Sequence, residues 1–82
     1  MGKPPREKPT RLPRKLLAIR NQLGVSQTEM AKLLKLKKTY TVISSYERGT
    51  GEPNLLILLR YARLAHVSTD VLIDDKLDLP RK

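Results

Sequence analysis

The residues between Gln27 and Thr50 that can do chemistry are hydroxyls, amides and cations, not nucleophiles with a base beside them. Thr28, Thr39, Thr41, Ser44, Ser45, Thr50 and Tyr40 carry O–H groups. Gln27 carries an amide, and Lys35, Lys37, Lys38 and Arg48 carry positive charge. The 82-residue chain has no cysteine and one histidine, His66. No Gly-rich phosphate loop and no carboxylate pair on a plausible cleft accompany them, so an enzyme is not expected. Such a set forms hydrogen bonds and neutralises anions. It is suited to holding a polyanion.

Charge distribution points the same way. The formal net charge is +9. Residues 1–15 hold Lys3, Arg6, Lys8, Arg11, Arg14 and Lys15 against Glu7. Residues 32–48 hold Lys32, Lys35, Lys37, Lys38 and Arg48 against Glu47, whereas basic and acidic residues balance after that. A basic excess gathered in two places is the footprint expected for a polyanion partner such as nucleic acid, and charge alone equally fits a solvated, solubilising surface. Neither a disulfide nor a thiolate metal site is available, and no metal or other cofactor is expected. No apolar run approaches the ~18 residues of a membrane span, and no apolar stretch follows the basic start as a secretory signal requires. A cytoplasmic location with no membrane partner is the expectation.

The elements that must position these groups are short helices. Pro13 suits the first turn of a helix that runs to about Leu23, with Leu16, Ile19 and Leu23 on one stripe and Gly24 as its left-handed stop. Ser26 and Glu29 form a capping-box pattern opening a second helix, with Met30, Ala31 and Leu34 inward. Lys35–Lys38 is a turn without glycine, anchored by Leu36. Thr39 is the natural cap of a third helix, in which Val42, Ile43 and Tyr46 face in while Tyr40, Thr41, Ser44 and Ser45 face out. The second and third helices are laid out as a helix-turn-helix, whose second helix enters a DNA major groove.

Gly49 stops that helix, and Gly49–Pro53 is a turn. Pro53 or Asn54 opens a fourth helix to about Ala65. Its run Leu55–Leu59 is apolar all round; Leu55, Leu58, Leu59 and Ala62 are expected inward, leaving Leu56, Ile57, Tyr61 and Leu64 for another surface. Ser68 is expected to cap a fifth helix, with Val71 and Leu72 inward. Asp70, Asp74, Asp75 and Asp78 are expected to be capping groups and a solvated end, not metal ligands. Residues 1–12, with Pro4, Pro5 and Pro9 among basic residues, read as a mobile arm that lies along phosphates, enters a minor groove or stays solvated. The domain spans 13–75 and a short tail 76–82.

The pattern Gly24-Val25-Ser26-Gln27-x-x-Met30-Ala31, then Ile43-Ser44-x-Tyr46-Glu47-Arg48-Gly49, then Pro53-x-Leu55-x-x-Leu58-Leu59-x-x-Ala62, then Val67-Ser68-x-Asp70-x-Leu72, resembles the phage repressor and Cro-type helix-turn-helix proteins of the XRE family. The likeness covers about Leu16 to Ile73, and the closing segment resembles small stand-alone bacterial regulators. It implies an all-α, five-helix lambda-repressor-like domain that regulates transcription, most simply as a repressor, with a recognition helix of about residues 40–47.

The resemblance also implies roles. Gln27, with Thr28 beside it, meets a phosphate and braces the third helix. Tyr40 and Thr41 face base edges, and Ser44 and Ser45 face bases or phosphates. Arg48, Thr50 and the amides of Gly49–Gly51 meet the DNA backbone. Arg20 pairs with Glu47 as scaffold. The link from Leu34 to Thr39 is longer than the family's usual turn, and Lys37 and Lys38 in it are expected to ride on phosphates. Double-stranded DNA is the expected partner, bound as a homodimer through surplus apolar residues of the fourth helix with Leu77 and Leu79. No small-molecule effector is expected. An antitoxin-like protein that also binds a toxin, and an RNA binder using the arm, are the other readings.

Overall fold

The computed structural model describes residues 9–37 and 40–80. Among them the chain forms α1 (Leu12–Leu23), α2 (Gln27–Leu33), α3 (Tyr40–Arg48), α4 (Leu55–Ala65) and α5 (Thr69–Ile73). The arm residues 1–8, the turn residues Lys38 and Thr39, and 81–82 lie outside the described residues, and with them the expected Thr39 cap.

Helix α1 is the hub. It packs against α3, α4 and α5, while α2 packs chiefly on α3. Local chemistry sets the ends of each element. Gly24 takes the left-handed conformation at φ 71° and closes α1 by donating to the Arg20 and Asn21 carbonyls. At the start of α2 the capping box is complete: the Ser26 hydroxyl accepts from Glu29 N–H at 3.1 Å, and Glu29 Oε1 accepts from Ser26 N–H at 3.1 Å. Those bonds hold the Glu29 carboxyl below its ordinary range. Asn54 caps α4 by accepting from Ile57 N–H at 3.0 Å. His66 ends α4 at φ 58°, doing without glycine what Gly24 does for α1. Ser68 stands at the N-cap of α5 but makes no side-chain cap bond there, so the expected cap is not formed by its hydroxyl.

The core comprises Leu12, Leu16 and Ile19 of α1; Met30, Ala31 and Leu34; Ile43; Ile57, Leu58, Tyr61 and Ala62 of α4; and Leu72. The expected inner face of α4 is therefore corrected. Leu55 is 81% exposed, whereas Ile57 and Tyr61 are buried. Counting at 100° per residue, the buried stripe 57-58-61-62 lies about a quarter turn from the expected one. Arg60 and Arg63 fall on its far side. Tyr61 is fully buried, and its hydroxyl has no hydrogen-bond partner among the described residues.

The boundaries at both ends shift as well. Leu12 belongs to α1 and is 3% exposed, so the ordered fold begins before Pro13. The residues after α5 do not leave as a solvated tail. Leu79 packs against the core, and Asp75 reaches the start of α1. There it accepts from Thr10 N–H at 3.0 Å, Thr10 Oγ1 at 2.8 Å and Arg11 N–H at 3.0 Å. Arg11 makes no side-chain cap bond for α1, so a carboxylate 64 residues away supplies the cap. Lys15, 5% exposed, sits one turn on, and its Nζ donates to the Val71 and Asp74 carbonyls at 2.8 and 3.0 Å. Burial, with Arg11 nearby, pulls its pKa down.

The donors around Asp75, led by the Thr10 and Arg11 amides, hold its carboxyl below the ordinary carboxylate range. A lowered folded-state value stabilises the fold above the unfolded-state value, and the stabilisation is lost as pH falls through the lowered one. Melting temperatures of wild type and Asp75→Asn, compared from about pH 6 down to about pH 2, should therefore differ at the upper end and converge at the lower. A constant gap across that range would show that protonation of Asp75 is not involved.

Candidate nucleic-acid interface

The interface is built on one braced helix. Arg20 Nε donates to Glu47 Oε2 at 2.6 Å and Arg20 Nη2 to Glu47 Oε1 at 3.2 Å, a forked pair joining α1 to α3. Arg20 Nη1 also donates to the Val25 carbonyl at 3.0 Å, which fixes the link between α1 and α2. Gln27 Nε2 donates to Glu47 Oε1 at 3.1 Å and ties in the start of α2. The Glu47 side chain is 5% exposed and that of Arg20 17%. The hydrogen bond to Glu47 raises the Arg20 pKa further above its already high ordinary value. One carboxylate thus gathers three helices at the end of α3 opposite its exposed start.

The same end of α3 is closed by the loop that follows it. Gly49 N–H donates to the Tyr46 carbonyl, and the Thr50 and Gly51 amides both donate to the Ser45 carbonyl. The Thr50 hydroxyl donates to Ser45 Oγ at 3.2 Å. Gly49 has φ 79°, and a Cβ there would lie 3.1 Å from Pro13 Cγ; a Cβ on Gly51 would lie 2.2 Å from Ser45 Oγ. Two features therefore differ from the expected interface. The Gly49–Gly51 amides are committed to α3 carbonyls, not presented to an anion. Ser45 is half-buried and turned into the loop, not outward.

The remaining expected positions are distributed as follows. Tyr40 is 54% exposed, and Thr41 is exposed beside it, both in the first turn of α3. Ser44, one turn on, is half-buried, and its carbonyl accepts from Arg48 Nε at 3.3 Å, so Arg48 lies back along its own helix. Thr28 is exposed at the start of α2, next to the half-buried Gln27. Lys37 is exposed in the turn. Lys38 and Thr39 fall outside the described residues. Lys37, Tyr40 and Thr41 thus form the exposed part of the expected set at the α2–α3 turn, while Thr28 is exposed at the other end of α2 beside Gln27, which serves as brace.

Two features of that turn are not apparent from motif spacing. Lys35 adopts the left-handed conformation at φ 58°, where glycine is commonest. Arg60, half-buried on α4, donates from Nη1 to the Leu34 carbonyl at 2.8 Å, satisfying an orphan carbonyl at the end of α2. Leu36 packs inward as expected. The longer turn is thus held at three points: a left-handed residue, an apolar anchor and a guanidinium from α4. Among the described residues no group of histidines and carboxylates could hold a metal. No helix there is long and apolar enough to cross a membrane.

A helix-turn-helix family model matches residues 16–72, well over half of the chain. The chain belongs to the helix-turn-helix family, within its XRE, lambda-repressor-like branch. Its structure is similar to that of the P22 c2 repressor, solved in complex with synthetic operator 9T in the presence of Tl+. The identity is 26%, the TM-score 0.69, and the match covers 78% of this chain and 94% of that one. No curated protein matches it. Family and fold define a DNA-binding transcription regulator.

Removing one partner of the Arg20–Glu47 pair leaves the other desolvated and uncompensated. Glu47→Ala should lower the unfolding free energy by about 3 kcal/mol, read from urea midpoints at unchanged slope. That is a large part of the ~5–15 kcal/mol typical of a domain. A loss below about 1 kcal/mol would show that the pair does not hold α3 in place.

Proposed function

We propose that this protein is a sequence-specific repressor that binds double-stranded DNA as a homodimer, with α3 in the major groove. The observation that carries this reading is the asymmetry of α3. Its inner side and last turn are fixed by Arg20, Gln27 and the 49–51 loop, while Tyr40 and Thr41 stand exposed at its start. A rigid helix presenting polar side chains at its N-terminal end is the arrangement that reads base edges. The P22 c2 repressor, similar in fold, is a repressor bound to an operator.

Tyr40 and Thr41 offer hydroxyls and a methyl group, but not the bidentate Arg–guanine or Gln/Asn–adenine pairs that discriminate most strongly. One protomer therefore discriminates modestly, and two-fold repetition together with DNA shape supplies the rest. Thr28 and Lys37 flank the reading residues and contact phosphates, as do Lys38 and Thr39 by their place in the same turn. Gln27 reaches a phosphate with the part of its amide not held by Glu47. Arg48 serves the backbone by swinging from the Ser44 carbonyl, while Ser44, Ser45 and Thr50 act mainly by shaping the end of α3. Leu55 and Leu56, 81% and 54% exposed at the start of α4, supply the apolar contact between protomers.

Selection of bound duplexes from a random library should return a two-fold symmetric site. Failure to enrich any sequence would overturn sequence-specific binding and leave the toxin-partner reading of the Leu55–Leu56 surface. On the selected site, Lys37→Ala/Lys38→Ala should weaken binding and make the salt dependence shallower by about one to two units. Thr41→Ala should relax discrimination at one base position by about 1 kcal/mol. An unchanged salt slope in the double variant would remove the turn from the phosphate contacts.

A further inference from the structure

Helix α2 is closed without help from α4. The Lys35 amide donates to the Lys32 carbonyl at 3.0 Å, and the Leu36 amide reaches back to the Ala31 carbonyl at 2.9 Å. With Lys35 left-handed and Leu36 packed inward, this is a complete Schellman closure. Arg60 is therefore not needed to end the helix. Its Nη1 instead takes the Leu34 carbonyl at 2.8 Å, at the residue where α2 gives way to the turn. Helix α4 packs on α1 and α5, so this half-buried guanidinium is a polar tie sent across to a different part of the fold.

The turn so held leads into the reading end of α3. The bonds that brace α3 against α1 and α2 converge on Glu47, about two helical turns beyond Tyr40. A brace at one end sets the rotation of the helix; the position of the other end also depends on the chain that enters it. We infer that Arg60 is a positioning residue for base discrimination: by holding the Leu34 carbonyl it sets where Tyr40 and Thr41 stand against base edges. The inference rests on the DNA-binding reading above.

A guanidinium beside a DNA-binding turn could instead contact a phosphate, and the two roles separate by measurement. A phosphate contact adds affinity on every sequence and steepens the salt dependence. A positioning residue acts on the ratio between selected and unrelated duplexes. Hydrogen bonds to base edges need close geometry, whereas a lysine on its flexible stem follows a phosphate.

The test uses the full chain, a duplex selected by the wild type and an unrelated duplex, with affinity followed against KCl concentration. Arg60→Ala should lower the ratio of the two affinities about 5- to 10-fold, leaving the unrelated duplex bound within about 2-fold and at an unchanged salt slope. Arg63→Ala removes the same charge from the exposed side of α4 and should leave the ratio unchanged. In a Tyr40→Ala/Thr41→Ala background, Arg60→Ala should change the ratio less than about 2-fold, because the side chains it places are gone. In the free protein, the Lys35 and Leu36 amides should exchange with deuterium about 10-fold faster in Arg60→Ala than in wild type. The Glu29 amide, held by the Ser26 hydroxyl, should exchange as before. If thermal melting shows Arg60→Ala to be unfolded at the assay temperature, Arg60→Lys carries the test, since it keeps the charge but loses the planar fork.

An undiminished ratio in the folded variant would overturn the inference. So would an equal loss on both duplexes with a shallower salt slope, which marks a phosphate contact, or an equal fall in ratio from Arg63→Ala, which marks charge alone. A full fall persisting without Tyr40 and Thr41 would mark general damage and overturn it too. A wild type that enriches no duplex would overturn the DNA-binding reading itself, and deuterium exchange would still report whether Arg60 holds the turn.

Discussion

The forked pair between Arg20 and Glu47 is the constraint on which the arrangement of helices depends. Hydrophobic burial brings α1, α2 and α3 together, but Leu16, Met30, Leu34 and Ile43 are compact side chains that tolerate small rotations of one helix on another. A planar guanidinium facing a carboxylate does not, because both of its bonds must be kept within a few tenths of an ångström. With the Val25 carbonyl and the Gln27 amide joined to the same two side chains, the rotation of α3 about its own axis is set. The direction in which Tyr40 and Thr41 point follows from that rotation.

The scaffold was largely legible in the sequence, because its signals are local. Ser26–Glu29, Gly24, Asn54 and Gly49 each act within a few residues, and each does in the structure what its type suggests. Arg20–Glu47 was legible only through the family resemblance. The register of α4 was not read correctly, since a run of five apolar residues has no internal polar mark. The two arginines at 60 and 63 carried that mark, and placing them outward turns Ile57 and Tyr61 in. Lys15 follows Leu12 by three residues and so falls on the buried stripe of α1, but a lysine does not announce itself as a core residue. The reach of Asp75 to Thr10 had no sequence signal, since it depends on where two chain segments meet after folding.

The candidate site was legible in composition and less so in geometry. The hydroxyls and cations were identified by type, and Tyr40, Thr41, Thr28 and Lys37 are exposed as expected. What type could not convey is competition for the same donors. The Gly49–Gly51 amides and the Thr50 hydroxyl look available as letters in a sequence, yet the end of any helix leaves carbonyls needing partners. The nearest donors take that task first. The longer α2–α3 turn shows the same logic in reverse: extra residues there need fixing, and Lys35, Leu36 and Arg60 supply it.

Tyr61 gives the molecule a built-in limit at high pH. Its ring fills the centre of the core, and burial pushes its phenol pKa well above the ordinary value, with the Glu47 carboxylate adding to the effect. Above about pH 10 the unfolded chain can release this proton while the folded chain retains it. The advantage conferred by a neutral phenol in the core therefore drains away as alkalinity increases. Of the three tyrosines in the sequence, Tyr61 is the fully buried one, and its proton can leave to solvent only when the core itself opens.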